Sequence, residues 1–353
     1  MNDIKRKRPT IKDIAKASGF SKTSVSFAFN DPKRLSSETV EKIMDTAKQL
    51  GYFPDPLARN LSLQKHFSIG FLLPQNINHT MNNPYILKVI EGISQVCEEK
   101  NYTLTIIPPL NQSVIEAVKH AAVDGLITMG MDLKNQIVEI LEQRNIPLVA
   151  IDGNPSQVIP TVNINDKSAA YDIMKEVLKR GHRNITIISL SEDLFSDKVS
   201  SAIQTVPMLR RNGYEKALEE YGMSLKDERI NIILSECTFE DGQALYEKVF
   251  AEQPDVTCVV TMSDIVAIGL LYQLRHEKIC VPEKLSVVGF DNLLESKLIS
   301  PRLTTVDQPG LDKGIQGTKL LFNYIEGTIS ENTRIEIPYK VIVRESLGEV
   351  DVK

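Results

Sequence analysis

From Phe67 onward, short apolar runs alternate with amphipathic stretches of helical period, and this alternation sharply limits the folds open to the chain. Apolar runs separated by helices are typical of parallel sheets that helices cover on both faces. The number of units indicates an α/β fold with two such lobes. The expected strands cover Ile69–Leu73, Leu104–Ile107, Leu126–Met129, Leu148–Ile151, Ile185–Leu190, Cys258–Met262 and Val287–Phe290. The expected helices cover residues 85–99, 133–143, 167–180, 209–221 and 265–277.

The chain is long enough for this core and for a smaller domain in front of it. Its 353 residues, 42% of them hydrophobic, amount to about two or three domains. We predict a ligand-binding core over residues 67–353. Its first lobe is expected over about residues 67–163 and 292–324, and its second over about residues 164–291 and 325–346.

Charge is distributed unevenly along the chain. Residues 1–65 contain 13 Lys and Arg against 7 Asp and Glu, whereas the remainder contains 28 against 39. A basic module of net charge +6 therefore precedes an acidic body of net charge −11. Local positive charge attracts a phosphate backbone, while an acidic body opposes nonspecific spreading along DNA. The count alone is equally compatible with a solvated, charged N-terminus.

The basic module begins with the pattern of two short helices joined by a tight turn. Thr10 can cap a first helix in which apolar residues such as Ile14 recur at helical spacing. Gly19 ends this helix, and Ser21 begins the next one. A connection this short, with a glycine, lets the second helix cross the first steeply and enter a major groove. The pattern predicts a helix-turn-helix.

The second helix has an inward and an outward face. Val25 and Ala28 are expected to face the core, which leaves Lys22, Thr23 and Ser26 on the outer surface. Side chains near the N-terminus of such a helix can reach phosphates and base edges. Lys22 and Thr23 are therefore the candidate base contacts.

A third helix is predicted between a cap at Ser36 and an end at Gly51. Residues 1–53 then form a three-helix DNA-binding domain, although spacing alone would also fit a small interaction bundle. The apolar positions of this helix are Val40, Ile43, Met44, Ala47 and Leu50.

The sequence argues against catalysis, a metal site and a membrane span. It has no GxSxG, GxxxxGK[ST], GxGxxG or HExxH motif, and its histidines are scattered. No apolar run approaches the roughly 20 residues that cross a bilayer, and the basic start, Lys5 to Arg8, leads into Pro9 without an apolar segment. We expect a cytoplasmic, non-enzymatic protein without cofactor or metal. The cysteines, none in a CxxC pair, are expected to be small buried hydrophobes: Cys97, Cys237, Cys258 and Cys280.

Charged residues follow three of the predicted strands. Asp152, Asp264 and Asp291 come at or just after strand ends, and Arg210 adds a cation. The carboxyl ends of parallel strands form the usual ligand cleft, where carboxylates and an arginine can bind adjacent hydroxyls. For Asp152 and Asp264, capping of the following helix is an equally good interpretation.

Longer motifs resemble one known family. Their order and spacing are similar to those of the lactose-repressor/galactose-repressor family over nearly the whole chain. The matching segments are TIKDIAKASGFSKTSVS at 10–26, LGYFP at 50–54, ARNL at 58–61, DGLI at 124–127, IPLVAID at 146–152, GHRNI at 181–185, VVGFD at 287–291 and RES at 344–346.

The resemblance implies a homodimer that reads a near-palindromic operator, with a core like that of periplasmic binding proteins. Phe27 stands where the family usually has arginine, so we expect an operator of altered sequence, since phenylalanine offers only apolar contact. The implied DNA contacts are Thr10, Ser21, Lys22, Thr23, Ser24, Ser26, Phe27, Asn30, Ala58 and Leu61.

Residues 54–66 are the predicted linker. They are too few and too polar to be a stable helix alone, yet Asp55 and Pro56 suit the start of a short one. By the resemblance, this hinge helix wedges Leu61 between base pairs in the minor groove. A plain tether, with Leu61 packed on its own domain, is the alternative.

The resemblance also places effector contacts at Asp152, Arg210, Ser263 and Asp291. The acidic cleft and the segment at 83–87 favour a neutral saccharide, such as an α-glucoside like maltose. A periplasmic-type sugar-binding protein would show the same pattern from residue 67 onward, but it lacks the basic first segment. An enzyme with an accessory DNA module would need a phosphate-binding loop, which the sequence does not contain.

Overall fold

The computed structural model divides the chain into two compact units, Met1–His66 and Phe67–Lys353. No helix among its described residues is long and apolar enough to cross a membrane. The predicted contacts Ala58 and Leu61, with most of the hinge segment, lie outside the described residues. The structure describes residues 9–53, 60, 63–73, 77–131, 135–154, 158–190 and 205–350.

The N-terminal unit contains the three predicted helices, α1 (Ile11–Ser18), α2 (Lys22–Asn30) and α3 (Ser37–Gln49). Gly19 ends α1 with a left-handed φ of 77°, which glycine adopts without steric cost. Two predicted apolar positions differ from expectation, because Met44 and Leu50 are 44% and 41% exposed. The small core consists of Ile14, Val25, Ala28, Ile43 and Ala47.

The second unit is built on two parallel sheets. The first has the order β11-β5-β4-β3-β1-β2. Its strands are β1 (Ser68–Leu72), β2 (Thr103–Ile107), β3 (Gly125–Met129), β4 (Leu148–Ile151), β5 (Thr161–Asn163) and β11 (Arg334–Glu336). The helices of this lobe are α4 (Ile77–Met81), α5 (Pro84–Glu99), α6 (Val114–His120), α7 (Asn135–Gln143) and α13 (Gly310–Ile325).

The second sheet has the order β7-β6-β8-β9 and is also parallel throughout. Its strands are β6 (Ile185–Leu190), β7 (Ile230–Ser235), β8 (Cys258–Thr261) and β9 (Ser286–Val288). Its helices are α8 (Asp166–Lys179), α9 (Val206–Glu219), α10 (Phe239–Glu252), α11 (Asp264–His276) and α12 (Glu295–Leu298). The two-lobed α/β core predicted from the alternation is therefore present.

The boundaries between the lobes differ from the predicted ones. The prediction places residues 293–307 in the first lobe, yet Gly289 N–H bonds to the Thr304 carbonyl beside the second sheet. Conversely, β11 pairs with β5 in the first sheet, although the prediction places it in the second lobe. The chain therefore crosses near Gln308, and β10 (Thr305–Asp307) pairs with β12 (Lys340–Ile342) at this crossing. Three-residue strands are too short to show a period in the sequence.

Helices α5 and α13 approach each other closely, which positions part of the site described below. A Cβ on Gly92 would lie 2.2 Å from the Leu311 carbonyl oxygen, and one on Gly314 would lie 2.2 Å from the Val89 carbonyl oxygen. Only glycine permits this backbone contact. As a result, Tyr85 on α5 can reach the side chain of Lys313 on α13.

Candidate functional site

The second helix of the N-terminal unit presents the predicted recognition residues in its first turn. Ser21 is the N-cap, and its Oγ accepts a hydrogen bond from the backbone N–H of Ser24 at 3.0 Å. Lys22 and Thr23 follow and are exposed, while Val25 is fully buried. The Lys22 ammonium thus lies at the positive end of the helix dipole, an arrangement that suits phosphate contact.

Three other predicted DNA contacts, Thr10, Ser26 and Asn30, also bond within the unit. The backbone N–H and the Oγ1 of Thr10 donate to Oδ2 of Asp13, at 2.8 and 2.7 Å, and close the start of α1. Along α2, Nδ2 of Asn30 donates to Oγ of Ser26 at 3.3 Å. Thr10 and Asn30 are both exposed, so their other hydrogen-bonding groups are accessible to solvent.

An arginine lies beside Phe27. The guanidinium carbon of Arg34 is 5.0 Å from the centroid of the Phe27 ring, and its Nε lies 2.7 Å from Oδ2 of Asp31. Arg34 was not predicted as a DNA contact; it follows α2 in the 3-10 turn Pro32–Arg34. A cation is therefore present next to the position where the resemblance led us to expect one.

A cavity lies between the carboxyl ends of the two sheets. Four of the five predicted effector residues line it, namely Asp152, Arg210, Ser263 and Asp291, whereas Asp264 does not. Most of its wall is apolar, and the side chains that form it include Phe71, Leu73, Ile86, Met129, Leu190 and Met262.

Arg210 is held rigidly in the second lobe. It is 3% exposed, its Nε donates to Oδ1 of Asp166 at 2.8 Å, and one terminal nitrogen donates to the Met262 carbonyl at 2.7 Å. Its guanidinium carbon lies 3.6 Å from the centroid of the Phe290 ring. The ion pair and the stacking together preorganise this cation in the wall of the cavity.

Asp291 is the acceptor of the second lobe. Its Oδ2 accepts from Oγ of Ser263 at 2.9 Å and from the backbone N–H of Asp264 at 3.1 Å. Its Oδ1 accepts from the side-chain amide of Gln308. Burial raises the pKa of Asp291 to about 6, because it outweighs the opposing effects of Arg210 and of these hydrogen bonds.

Asp152 forms a buried cluster in the first lobe with two residues that lie far away in sequence. The Lys313 ammonium is 2.5 Å from Oδ1 of Asp152 and donates to the Tyr85 hydroxyl at 2.8 Å. The Tyr85 hydroxyl in turn donates to Oδ2 of Asp152 at 2.9 Å. Burial, followed by the Asp152 charge, raises the pKa of Tyr85 well above its usual value and keeps it a donor. Lys313 is fully buried.

Asp264 has a different role from the one predicted. Its Oδ1 accepts from the Thr305 hydroxyl at 2.6 Å, and its Oδ2 accepts from the backbone N–H of Leu293 at 2.9 Å. Asp264 is fully buried, and its backbone N–H donates to Oδ2 of Asp291. The carboxyl group therefore joins α11 to the segment that follows β9.

Replacing Asp264 by asparagine is expected to remove a loss of stability that extends up to about pH 8. Burial, followed by the Asp291 charge, raises the pKa of Asp264 from 3.8 to about 8. The folded state therefore holds this proton more tightly than the unfolded state, so stability falls as pH rises from about 4 to about 8 and levels off above that. Asparagine can accept from the Leu293 N–H through its oxygen and donate from Nδ2 to the Thr305 hydroxyl, without a charge. We expect the fall in melting temperature between pH 6.5 and 8.5 to shrink in Asp264→Asn.

Thermal unfolding followed by circular dichroism across this pH range measures the effect. Asp312→Asn, at an exposed carboxylate, is the matched control and should keep the wild-type slope. An unchanged slope in Asp264→Asn would assign the proton to another group.

Three residues of the cavity adopt backbone conformations that favour glycine. Asp152, Cys237 and Asp291 have φ values of 51°, 61° and 135°. Such conformations cost free energy and cluster at functional sites. Their coincidence at one cavity supports a binding role for it.

Among the described residues, no group of three or more His, Cys, Asp or Glu side chains could hold a metal ion. In the cavity, Asp152 is paired with Lys313 and Arg210 with Asp166, while Asp291 accepts hydrogen bonds from Ser263 and Gln308. The arrangement is that of a binding site.

The sequence patterns did not predict three further residues at or next to this site, namely Lys313, Gln308 and Asp166. For Lys313 a signal existed, because it lies four, seven and eight residues before Gly317, Leu320 and Leu321, all of which are buried. A lysine on the apolar face of a helix has to be paired. Gln308 precedes a proline in a loop and carries no such signal.

Comparison with known proteins identifies both units. Residues 10–55 match the sequence model of "Bacterial regulatory proteins, lacI family", and residues 66–343 match that of "Periplasmic binding proteins and sugar binding domain of LacI family". The second match alone covers more than half of the chain.

Individual relatives and solved structures match this chain over nearly its full length. The HTH-type transcriptional repressor PurR of Histophilus somni is 28% identical over 345 residues, covering 96% of this chain and 98% of PurR. The lac repressor dimer bound to operator and the anti-inducer ONPF has a TM-score of 0.79 at 18% identity, covering 97% and 100%. The CelR–cellobiose complex has a TM-score of 0.69 at 23% identity, covering 96% and 100%. The chain therefore belongs to the lacI family of bacterial regulatory proteins, which are DNA-binding transcription regulators and not enzymes.

Proposed function

We propose that the protein is a cytoplasmic, homodimeric repressor that binds a near-palindromic operator and is controlled by a neutral saccharide in the cavity. The DNA-binding part of this proposal rests on the exposed first turn of α2, where Lys22 and Thr23 lie at the positive end of the helix. The operator-bound lac repressor dimer, which shares the fold, supports it. A two-fold dimer places two such helices on two half-sites.

Leu61 is proposed to complete operator binding as a minor-groove wedge. An apolar wedge costs a few kcal/mol of unstacking, which the bend and the added contacts offset. Effector and operator are then linked through the hinge by a reciprocal coupling of ~1–3 kcal/mol. Leu61→Ala should weaken operator binding and its response to effector, and a variant with both intact would contradict the wedge.

Replacing Lys22 by alanine should selectively weaken operator binding. An operator is first selected from a random duplex library, and its dissociation constant is measured by fluorescence anisotropy over a salt series. Loss of a base contact costs about 1–3 kcal/mol at the selected site, which is roughly a 5- to 150-fold weaker binding. Binding to random duplex should change much less.

Lys48→Ala is the matched control, since it removes the same charge from an exposed site on α3. We expect it to leave the ratio of selected to random binding unchanged. If Lys22→Ala weakened binding to both duplexes equally, Lys22 would be a phosphate contact and not a base contact. Arg34→Ala, tested in the same way, measures what the guanidinium beside Phe27 contributes.

The polar groups of the cavity favour an uncharged ligand with several hydroxyls. Arg210 uses one N–H each toward Asp166, Met262 and Gln308, which leaves two of its five N–H groups without a partner among the described residues. Asp152 and Asp291 are already bonded but keep free lone pairs. Adjacent hydroxyls can bond both kinds of group, while the apolar wall suits the faces of a sugar ring.

The charge balance disfavours an anionic ligand. Two cations, Arg210 and Lys313, face the three carboxylates of Asp152, Asp166 and Asp291. A fourth carboxylate, Glu236, lines the cavity. A phosphate group would therefore enter a site with an excess of negative charge. The cellobiose complex of CelR, a protein of the same fold, supports a saccharide.

A thermal-shift screen tests the proposal that the cavity binds a neutral saccharide. The full-length protein is heated with maltose, cellobiose, ribose, glucose 6-phosphate or adenine. A ligand at 100 times its Kd stabilises the folded state by about 2.7 kcal/mol. We expect a shift with at least one neutral sugar and none with glucose 6-phosphate. A shift with the phosphate or with adenine alone would overturn the neutral saccharide and leave DNA binding untouched.

A further inference from the structure

A continuous chain of hydrogen bonds runs from the acceptor of the first lobe to that of the second. Asp152 binds the Lys313 ammonium, which also donates to Oε1 of Gln308 at 2.9 Å. The side-chain Nε2 of Gln308 donates to Oδ1 of Asp291. Each link is buried, with Gln308 only 3% exposed and Lys313 fully buried. Asp152 and Asp291 do not bond to each other.

The charges around Gln308 allow its amide only one orientation. Its oxygen faces two cations, Lys313 at 2.9 Å and Arg210 at 3.5 Å, while its NH2 group faces the Asp291 carboxylate. The reversed amide would place donors against cations and an acceptor against a carboxylate. Hydrogen bonds to charged groups in a buried site are among the strongest in proteins. The amide is therefore locked.

The fixed orientation of the Gln308 amide bears on movement of the lobes because of where Gln308 lies in the chain. It lies at the crossing between β10 and α13, where the chain passes from the second lobe to the first. Lys313, five residues on, anchors one end of the link on α13, and Asp291, after β9, anchors the other. A change in the angle between the lobes must strain or break at least one of these bonds.

We propose that Lys313 and Gln308 are positioning residues that form an interlobe relay, which fixes the spacing of Asp152 and Asp291 and makes the two acceptors respond to an effector as one unit. The proposal rests on the proposed function only in taking the cavity as the effector site. The relay consists only of side chains of this chain, so it can be tested without a ligand.

The test exchanges donor and acceptor across one link. Gln308→Glu places a carboxylate oxygen against Asp291 and should open the cleft. Adding Asp291→Asn restores a donor on the opposite side, because Oδ1 of asparagine can accept from Ser263 and Asp264 while its Nδ2 donates to the new carboxylate at position 308. Asp291→Asn alone sets two NH2 groups against each other. The relay predicts that each single variant opens the cleft and that the double variant closes it.

Cys237 reports opening of the cleft. Its Sγ accepts a hydrogen bond from Nδ2 of Asn83, at 3.6 Å, across the cavity between the lobes. Alkylation of Cys237 by iodoacetamide is followed by peptide mass spectrometry. Cys280 of the same chain is the internal reference, because it is exposed and not buried as the sequence led us to expect. Relative to Cys280, we expect Cys237 to react at least fivefold faster in each single variant. In the double variant its rate should return to within twofold of wild type.

Gln308→Met, alone and with Asp291→Asn, is the matched control, since methionine fills the space without either bond. The relay requires rescue with glutamate and no rescue with methionine. Folding of the glutamate double variant where Gln308→Glu alone fails to fold also counts as rescue. Equal rates in the two double variants would show that residue 308 only fills space and would overturn the relay. A failed saccharide screen would change none of these rates, so the two proposals fail separately.

Discussion

Replacing Lys313 by methionine is expected to lower the free energy of unfolding of the core by about 3–5 kcal/mol, the usual cost of removing one partner from a buried ion pair. Methionine has a similar length and volume, so packing against α5 changes little. Asp152, whose side chain is 7% exposed, would keep a charge, and among the described residues the Tyr85 hydroxyl would be its remaining side-chain partner.

Urea unfolding monitored by circular dichroism measures this loss. Lys319→Met, at an exposed lysine on the same helix, is the matched control and should fall within about 0.5 kcal/mol of wild type. Adding Asp152→Asn to Lys313→Met removes both charges and should recover a large part of the stability. If Lys313→Met behaved like Lys319→Met, the buried ion pair would contribute nothing, and the cluster would have to be explained by packing alone.

Replacing Arg210 by methionine is the second change for which we expect a large effect, on both stability and effector binding. Asp166, whose side chain is 3% exposed, would lose its ion-pair partner, and the Met262 carbonyl would lose its donor. The expected cost is again about 3–5 kcal/mol. Because the two remaining N–H groups of Arg210 are proposed to bind the effector, any saccharide found in the screen should no longer shift the melting temperature.

A conservative variant separates the two effects of Arg210. Arg210→Lys keeps the positive charge beside Asp166 but loses the planar group that lies 3.6 Å from the Phe290 ring and donates in several directions. We expect it to regain part of the stability while effector affinity stays at least tenfold weaker, as measured by isothermal titration. Lys216→Met, at an exposed lysine of α9, serves as the control. Full effector affinity in Arg210→Lys would remove the guanidinium from the proposed contacts.

Much of the fold followed from local patterns because those patterns reflect local physics. Gly19 and the caps Ser21 and Ser36 mark helix ends whose hydrogen bonds form within a few residues, and the structure has helices there. The long buried strands were found because both their faces are apolar. β7 was not predicted, because its buried residues are interrupted by partly and fully exposed ones and because it contains Asn231. The lobe boundaries were wrong because β11 and β12 are short and their pairing is decided by distant strands.

The candidate site shows the same division. Asp152, Asp264 and Asp291 look equivalent in the sequence, since each comes at or just after the end of a strand. Only the structure separates them, because Asp264 turns toward Thr305 and Leu293 while the other two line the cavity. The direction of a side chain after a strand depends on the loop that follows, and short-range spacing does not encode that loop.

By itself, the sequence determined the two-part organisation, the three-helix basic unit, the doubly covered sheets and the family, because each of these depends on periodicity, capping and motif order along the chain. Only the tertiary structure decided that Lys313 is buried against Asp152, a residue 161 positions away, and that Gln308 joins it to Asp291. The physical reason is that a buried charge is stable only beside its partner. That partner is supplied by the packing of α13 on α5 and by the crossing of the chain between lobes.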